Sequence, residues 1–407
     1  MKVLQLCLRL PWPPNDGGTI AMFSMSSALT GNGVNVKVVS FNTLKHFVEP
    51  SSIPDWYMSA YRPEMVYLDA TVRPLGALLN LFSKESYNIS RFDITEMHQL
   101  IETVLTKEKF DVIQLESLFM APYLETVRKF SDAKVVFRAH NVEYLIWKRL
   151  ADSENFILKK YYLKLLAKRL RRYEAGILNR FDGIIVLTDE DHDLFKSLGC
   201  HVPVRVSPIS IDTADYSDAG TETDPASVFH LGSMDWMPNL EGVDWFLSQV
   251  WPLTVNHESQ FKLFLAGKGM PQKYLSMNEP RIHVQGRVDH ARNFMSDKQI
   301  MIVPLLSGGG MRVKIIEGMA AGKTIISTSI GAEGIQYTNG TDILIADSPA
   351  DFASALIRCV KDPVYSKSIG DNARKLAVNR YDNRITGSGI IDFYKSLKKR
   401  SSNSLIS

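Results

Sequence analysis

Short, wholly apolar runs alternate along the chain with longer stretches whose apolar residues recur at helical spacing. In the first half Val3–Leu8, Val34–Phe41, Phe110–Leu115, Lys134–Phe137, Gly183–Leu187 and Val204–Val206 read as strands. In the second half Val228–Leu231, Phe261–Ala266, Arg281–Gln285, Ile300–Pro304 and Thr324–Thr328 do. Thr19–Thr30, Thr95–Thr106, Asn155–Leu178, Leu240–Gln249, Val313–Ala321 and Asp351–Val360 read as helices between them. Strands that are apolar throughout are buried on both faces, and strand–helix alternation makes βαβ units with parallel sheets. The pattern predicts an α/β protein. Ser207–Ala226 is polar and turn-rich, and separates a domain over 1–206 from one over 207–383. A further helical pattern, 384–400, follows the second sheet and can pack back on the first domain.

Composition narrows the class. A chain of 407 residues is too long for one core, and 45% apolar with 22% charged residues is ordinary for a soluble protein. The net charge of +3 with no recognisable motif argues against nucleic acid as a partner. Cys7, Cys200 and Cys359 are too sparse for a disulfide framework or a metal site, which suits a reducing, cytoplasmic setting. The apolar stretch in Met1–Leu10 is too short for a signal segment, and no run approaches the ~18 apolar residues of a membrane span. Lys159–Arg172 holds seven basic residues and no acid on an amphipathic pattern. It suits peripheral contact with the inner face of a membrane as well as it suits an ordinary solvated helix face.

Ligands of open parallel sheets bind beyond the carboxyl ends of the strands. The richest such loop is Ser307-Gly308-Gly309-Gly310-Met311-Arg312-Val313-Lys314, with Glu317 one turn further on. Glycines let backbone approach a ligand, and a helix start favours an anion. Arg312 and Lys314 oppose the helix dipole, so an anion explains them better than helix stability does. Glu317 can accept bonds from ribose hydroxyls. Gly17 and Gly18 after the first strand, His140 and Asn141 after the fourth, and Gly232 and Ser233 at the start of the second domain occupy equivalent loops. Three patterns mislead. Gly322-Lys323-Thr324 lacks the upstream glycine and the following helix of a P-loop. No G-x-G-x-x-G follows the first strand. Asp189-Glu190-Asp191 has the D-x-D form of a metal site, but acids in a first helical turn are the simpler reading.

Together these segments resemble the retaining glycosyltransferases of family four, of the GT-B fold, over roughly residues 1–400. The resemblance rests on Gly17-Gly18, His140-Asn141-Val142-Glu143, Gly232-Ser233 with Trp236-Met237-Pro238-Asn239, Gly286-Arg287-Val288, Arg312 to Ala320, and Gly331-Ala332-Glu333-Gly334-Ile335. It implies two Rossmann-like parallel-sheet domains facing a central cleft, with the acceptor on the first and a nucleotide sugar on the second. It places the base near Gly286, Arg287 and Val288, ribose at Glu317, and the diphosphate at Arg312 and Lys314. Gly17, Gly18, Gly232, Ser233, Asn141 and Gly308–Gly310 line the substrates, and His140 lies near the donor sugar. The family pattern E-x7-E is incomplete, because Gly309 stands where the first acid belongs. The basic pair common in the Gly232 loop is also missing, and Arg312 and Lys314 are read as its replacement. The resemblance implies metal-independent transfer with retention to a glycan or lipid-linked acceptor, without a cofactor, in surface polysaccharide synthesis. A nucleotide-sugar epimerase and a silent sugar-nucleotide binding protein are the competing readings.

Overall fold

The computed structural model describes residues 1–71, 80, 86–216, 223–257 and 260–404. Residues 217–222 of the expected linker lie outside them. The chain forms two compact units, one from residues 1–209 with the chain from Thr386 onward, the other from Ser210–Ile385.

The first unit is built on a sheet of β1 (Lys2–Cys7), β2 (Asn35–Thr43), β3 (Glu64–Leu68), β4 (Val112–Glu116), β5 (Lys134–Arg138), β6 (Gly183–Val186) and β7 (Val204–Val206). All its pairings are parallel, in the order β3-β2-β1-β4-β5-β6-β7. Val3 aligns with Val36 on one side and Val112 on the other, so the central strands are apolar in both directions. Leu4, Leu6, Ile113, Leu115 and Phe137 face one core layer, while Val3, Cys7, Val36, Val38 and Val136 face another. The C-terminal helix Asn383–Ser404 closes the second layer with Ile390, Phe393, Tyr394 and Leu397.

The second unit carries β8 (Asp224–Leu231), β9 (Lys262–Ala266), β10 (Ile282–Gly286), β11 (Lys298–Val303), β12 (Thr324–Ser327) and β13 (Leu344–Ile345), in the order β10-β9-β8-β11-β12-β13. All pairs are again parallel. Its core gathers Val228, Leu263, Leu265, Ile300, Ile302 and Ile326 with Phe246, Trp251 and Phe352 from the covering helices.

The strands missing from the sequence reading are β3 and β13, both edge strands. Both carry short apolar runs, over residues 65–68 and 343–346, which the sequence reading leaves unassigned; β3 is nevertheless half-exposed and β13 pairs over only two residues. β8 starts at Asp224, inside the segment read as linker. The single helix read over Asn155–Leu178 begins at Ile157, and a separate helix, Glu143–Ser153, precedes it. Among the described residues no helix is long and apolar enough to cross a membrane.

Candidate functional site

In the second unit the loops after β8, β9 and β11 converge. Gly232 donates its N–H to the Ala266 carbonyl at 3.0 Å, and Gly267 donates to the Gly286 carbonyl at 2.6 Å. Gly267 has φ 155°, and a Cβ there would sit 1.8 Å from the Gly232 carbonyl oxygen, so only glycine lets these strand ends meet. Gly286 ends β10, with exposed Arg287 and half-buried Val288 following at the same end of the sheet.

The loop after β11 runs through Gly308–Gly310 to the helix Val313–Ala320, whose N-cap is Arg312. Gly308 and Gly310 have φ 103° and 85°. Gly308 lies against the Trp236 ring, where a Cβ would come within 2.9 Å. Arg312 is buried at 6% exposure and stacks on Trp236, 5.0 Å from the ring centroid. One guanidinium nitrogen, Nη1, donates to the Gly309 and Gly310 carbonyls. The other two, Nε and Nη2, are buried without a hydrogen-bond partner. A buried cationic donor without an acceptor is costly, so these N–H groups are poised for an anion.

Lys314 Nζ donates to Asn239 Oδ1 at 2.8 Å, and Asn239 Nδ2 donates to the Ser233 carbonyl at 2.8 Å. Lys314 thus stands beside the Gly232–Ser233 loop. Burial and the neighbouring Arg312 charge pull its pKa down to about 7, against the opposing pull of Glu317. Burial pushes the Glu317 carboxyl up, offset by the Tyr216 hydroxyl and Lys314. Tyr216 donates to Glu317 Oε1 at 2.9 Å. His230, beneath this group, donates Nδ1–H to the Ile302 carbonyl at 3.1 Å. Burial and the Lys314 charge lower its pKa to about 3, so it is neutral, with Nε2 buried and unpartnered beside Gly232.

In the first unit His140 follows β5. Its Nε2 meets Glu116 Oε2 at 2.6 Å. Glu116 closes β4 and is fully buried; burial raises its pKa, but Arg138 and His140 outweigh that and hold it at about 2. An ionised carboxylate only accepts, so Nε2 carries the proton and, in the neutral ring, Nδ1 keeps a lone pair. Arg138 reaches Glu116 Oε2 at 3.0 Å, and Gln5 reaches Oε1 at 2.6 Å. Asn141 is half-buried beside His140.

Gly17 and Gly18 open the helix Gly17–Gly31, but the N–H of Gly18 is taken by Asp16 Oδ1 at 3.0 Å in a capping box. Asp16 also pairs with Arg9. A Cβ at Gly18 would lie 2.6 Å from Arg9 Nη2, so this glycine makes room for an arginine. The Asp189-Glu190-Asp191 run fills the first turn of the helix Asp189–Ser197, capped by Thr188. Among the described residues no cluster of His, Cys, Asp and Glu is arranged to hold a metal.

The structure brings Gly232, Ser233, Gly308, Gly309, Gly310, Arg312, Lys314 and Glu317 into one site, and His140 and Asn141 into another. Sequence reasoning missed Arg9, Glu116, Arg138, Tyr216 and His230. Only Glu116 and Arg138, charged residues ending apolar strands, carried a visible signal.

Comparison with known proteins supports one family. A model described as Glycosyltransferase Family 4 matches residues 15–215, and one described as Glycosyl transferases group 1 matches residues 225–362. An uncharacterised 44.6 kDa protein of the cps region of Klebsiella pneumoniae is 24% identical over 96% of this chain and 98% of its own. HepE of Anabaena, solved in complex with UDP, aligns at TM-score 0.66 and 14% identity over 97% of this chain and 100% of that one. Sucrose-phosphate synthase of Thermosynechococcus elongatus aligns at TM-score 0.69 and 15% identity over 98% and 100%.

Proposed function

The chain belongs to the group 1, family four glycosyltransferases of the GT-B fold, which use nucleotide-sugar donors, and from that membership we propose that it transfers a sugar with retention, without a metal, to a glycan or lipid-linked acceptor. The observation that carries this reading is the pairing of Lys314 with Arg312, whose two unpartnered guanidinium nitrogens are held at a glycine-rich strand end.

The hard step is departure of the nucleoside diphosphate while the sugar gains positive character. Charge growing on the phosphate oxygens is stabilised by fixed donors already in place. Arg312 and Lys314 supply that charge, and Asn239 holds Lys314 where the common basic pair of the Gly232 loop is absent. Glu317 is assigned to the ribose hydroxyls in exchange for Tyr216, and the Gly286–Val288 backbone to the base. The acceptor belongs to the first unit, with His140, its ring fixed by Glu116, and Asn141 in contact with substrate. Gly17 is assigned to the same surface.

Surface polysaccharide synthesis is the favoured setting, since the Klebsiella relative comes from a cps region. UDP is the favoured carrier, since HepE of Anabaena was solved with UDP and with UDP-glucose. The enzyme is placed in the cytoplasm, at the inner face of the membrane where lipid-linked acceptors are assembled.

A thermal-shift screen across UDP-, GDP-, ADP- and CMP-sugars tests the donor site, because a ligand bound only by the folded state raises its stability. At least one donor is expected to shift the melt, and product analysis then reads transfer and anomeric configuration. Donor epimerised without acceptor would replace the transferase reading with the epimerase one, and a panel without shifts would overturn both.

A further inference from the structure

The helix Glu143–Ser153 turns at Glu154–Phe156 into the helix Ile157–Ile177. From Asp152 to Tyr162 this hairpin has no buried residue. Its tip is nevertheless apolar: Phe156, Ile157, Leu158 and Tyr161 are 62%, 66%, 72% and 70% exposed. Ile146 and Leu150, one turn apart on the first helix, add 45% and 48%. Six large apolar side chains within sixteen positions are too many for ordinary surface scatter and mark an interaction site.

Charge decides the occupant. Leu163, Leu166, Leu170 and Ile177 bury one face of the second helix in the first unit's core or against it. Lys160, Lys164, Lys168 and Arg172 recur four residues apart on the outward side, so a basic stripe runs on from the apolar tip. The acids nearby are Asp152, exposed, and Glu154, which pairs with Lys159 at 2.6 Å. Lys160 Nζ reaches only the backbone carbonyl of Asp152, at 3.2 Å. A basic stripe alone fits any polyanion, but an apolar tip continuous with it fits acyl chains below phosphate groups.

We infer that the tip of this hairpin inserts into an anionic bilayer, with the Lys160–Arg172 stripe resting on its headgroups. The inference rests on the reading that the acceptor is lipid-linked only for its purpose, and its test needs no turnover. The membrane element is thus the apolar turn ahead of Lys159–Arg172 as much as the basic run itself, half of whose helix is engaged by its own unit.

The full chain is mixed with phosphatidylethanolamine–phosphatidylglycerol vesicles and, separately, with phosphatidylcholine vesicles, and bound protein is measured by flotation. Binding is expected to the anionic vesicles and to fall with salt. Phe156→Ser with Leu158→Ser is expected to weaken it at least about tenfold, and Lys164→Glu with Lys168→Glu comparably. A Tyr161→Trp probe is expected to shift its emission to the blue on anionic vesicles. Both double variants are to keep the wild-type melting temperature and donor thermal shift, which separates loss of docking from loss of fold. Absence of vesicle binding, equal binding to both compositions, or undiminished binding of the Phe156/Leu158 variant overturns the inference, as does a dimer that the same serine substitutions abolish. The donor shift, read on the same samples, tells whether the transferase reading falls with it.

Discussion

At the scale of single residues, Lys314 and Glu116 show how burial sets a group to one use. Lys314 is held near pKa 7 by burial and by Arg312, so at neutral pH about half of it lacks its proton. A diphosphate stabilises the ammonium and raises that pKa. Donor binding is therefore expected to take up a proton above pH 7, and affinity to fall by up to about tenfold per pH unit there. Calorimetry in buffers of different ionisation enthalpy checks the uptake; a pH-independent affinity would remove Lys314 from the phosphate. Lys314→Ala is expected to cost about 2–4 kcal/mol in kcat/KM while the melting temperature holds. Glu116 works the other way. Its folded pKa of about 2 lies below the ordinary 4.5, so it contributes stability above 4.5 and loses it as pH falls toward 2. That contribution is about 3 kcal/mol and is expected to vanish from urea-melt free energies in Glu116→Gln, leaving a flatter acid limb. The proposed donor half of the site was legible because the glycines, Arg312, Lys314 and Glu317 fall within one strand-to-helix loop and the first turns of the helix it opens. Asn239 and Tyr216 were not legible as their partners, because the contacts join residues 75 and 101 positions apart.

Among elements, the helix Glu143–Ser153 illustrates a dependence no local pattern shows. It has no side-chain cap of its own; Glu174, from the helix Ile157–Ile177, accepts from the N–H groups of Glu143 and Tyr144 at 3.0 and 3.1 Å. One helix thereby caps the other across the hairpin. Glu143 is buried beside Glu174, and burial and then that neighbour push its pKa up to about 8. A carboxyl raised in the folded state holds its proton where the unfolded chain has lost it, so the pair lowers stability as pH rises from the ordinary carboxyl range through 8. Glu143→Gln is expected to raise the melting temperature at pH 9 more than at pH 6, whereas Glu174→Ala removes the cap and is expected to lower the unfolding free energy by about 1 kcal/mol at pH 6 and by less at pH 9, where it also relieves the repulsion within the pair. Equal effects of Glu143→Gln at the two pH values would show that its carboxyl titrates normally. Periodicity marked a helix over Asn155–Leu178 because Leu163, Leu166, Leu170 and Ile177 repeat at helical spacing. It gave no warning of the turn before it, where Phe156–Leu158 continue an apolar run that the fold leaves outside. The central strands were readable for the opposite reason: Val36, Ile113 and Val136 are apolar because both faces of the sheet are covered.

For the molecule as a whole, the last helix ties the end of the chain to the strand ends beneath His140 in the first unit. The first unit is discontinuous in sequence, completed by the segment after Ile385. Gly387 admits the close crossing: a Cβ there would fall 2.2 Å from the Ala28 carbonyl oxygen, in the helix Gly17–Gly31. Further along, Tyr394 is fully buried and its hydroxyl donates to Gln114 Oε1. Gln114 Nε2 donates to Glu116 Oε1 at 2.5 Å, and Glu116 Oε2 holds His140. A hydroxyl 280 residues from its acceptor thus fixes the amide that steadies the carboxylate beneath His140. Helical periodicity predicted a C-terminal helix able to pack back on the first domain; no pattern announced a polar group on it aimed at β4. Tyr394→Phe keeps the apolar contacts and removes one buried hydrogen bond, so it is expected to cost about 1–2 kcal/mol in stability. If the chain of bonds positions His140, kcat is expected to fall in Tyr394→Phe while the thermal shift with donor, which the proposal assigns to the second unit, stays unchanged. A stability loss with kcat intact would confine Tyr394 to holding the helix, and would leave the orientation of His140 to the bonds that Arg138, Gln5 and Gln114 make to Glu116.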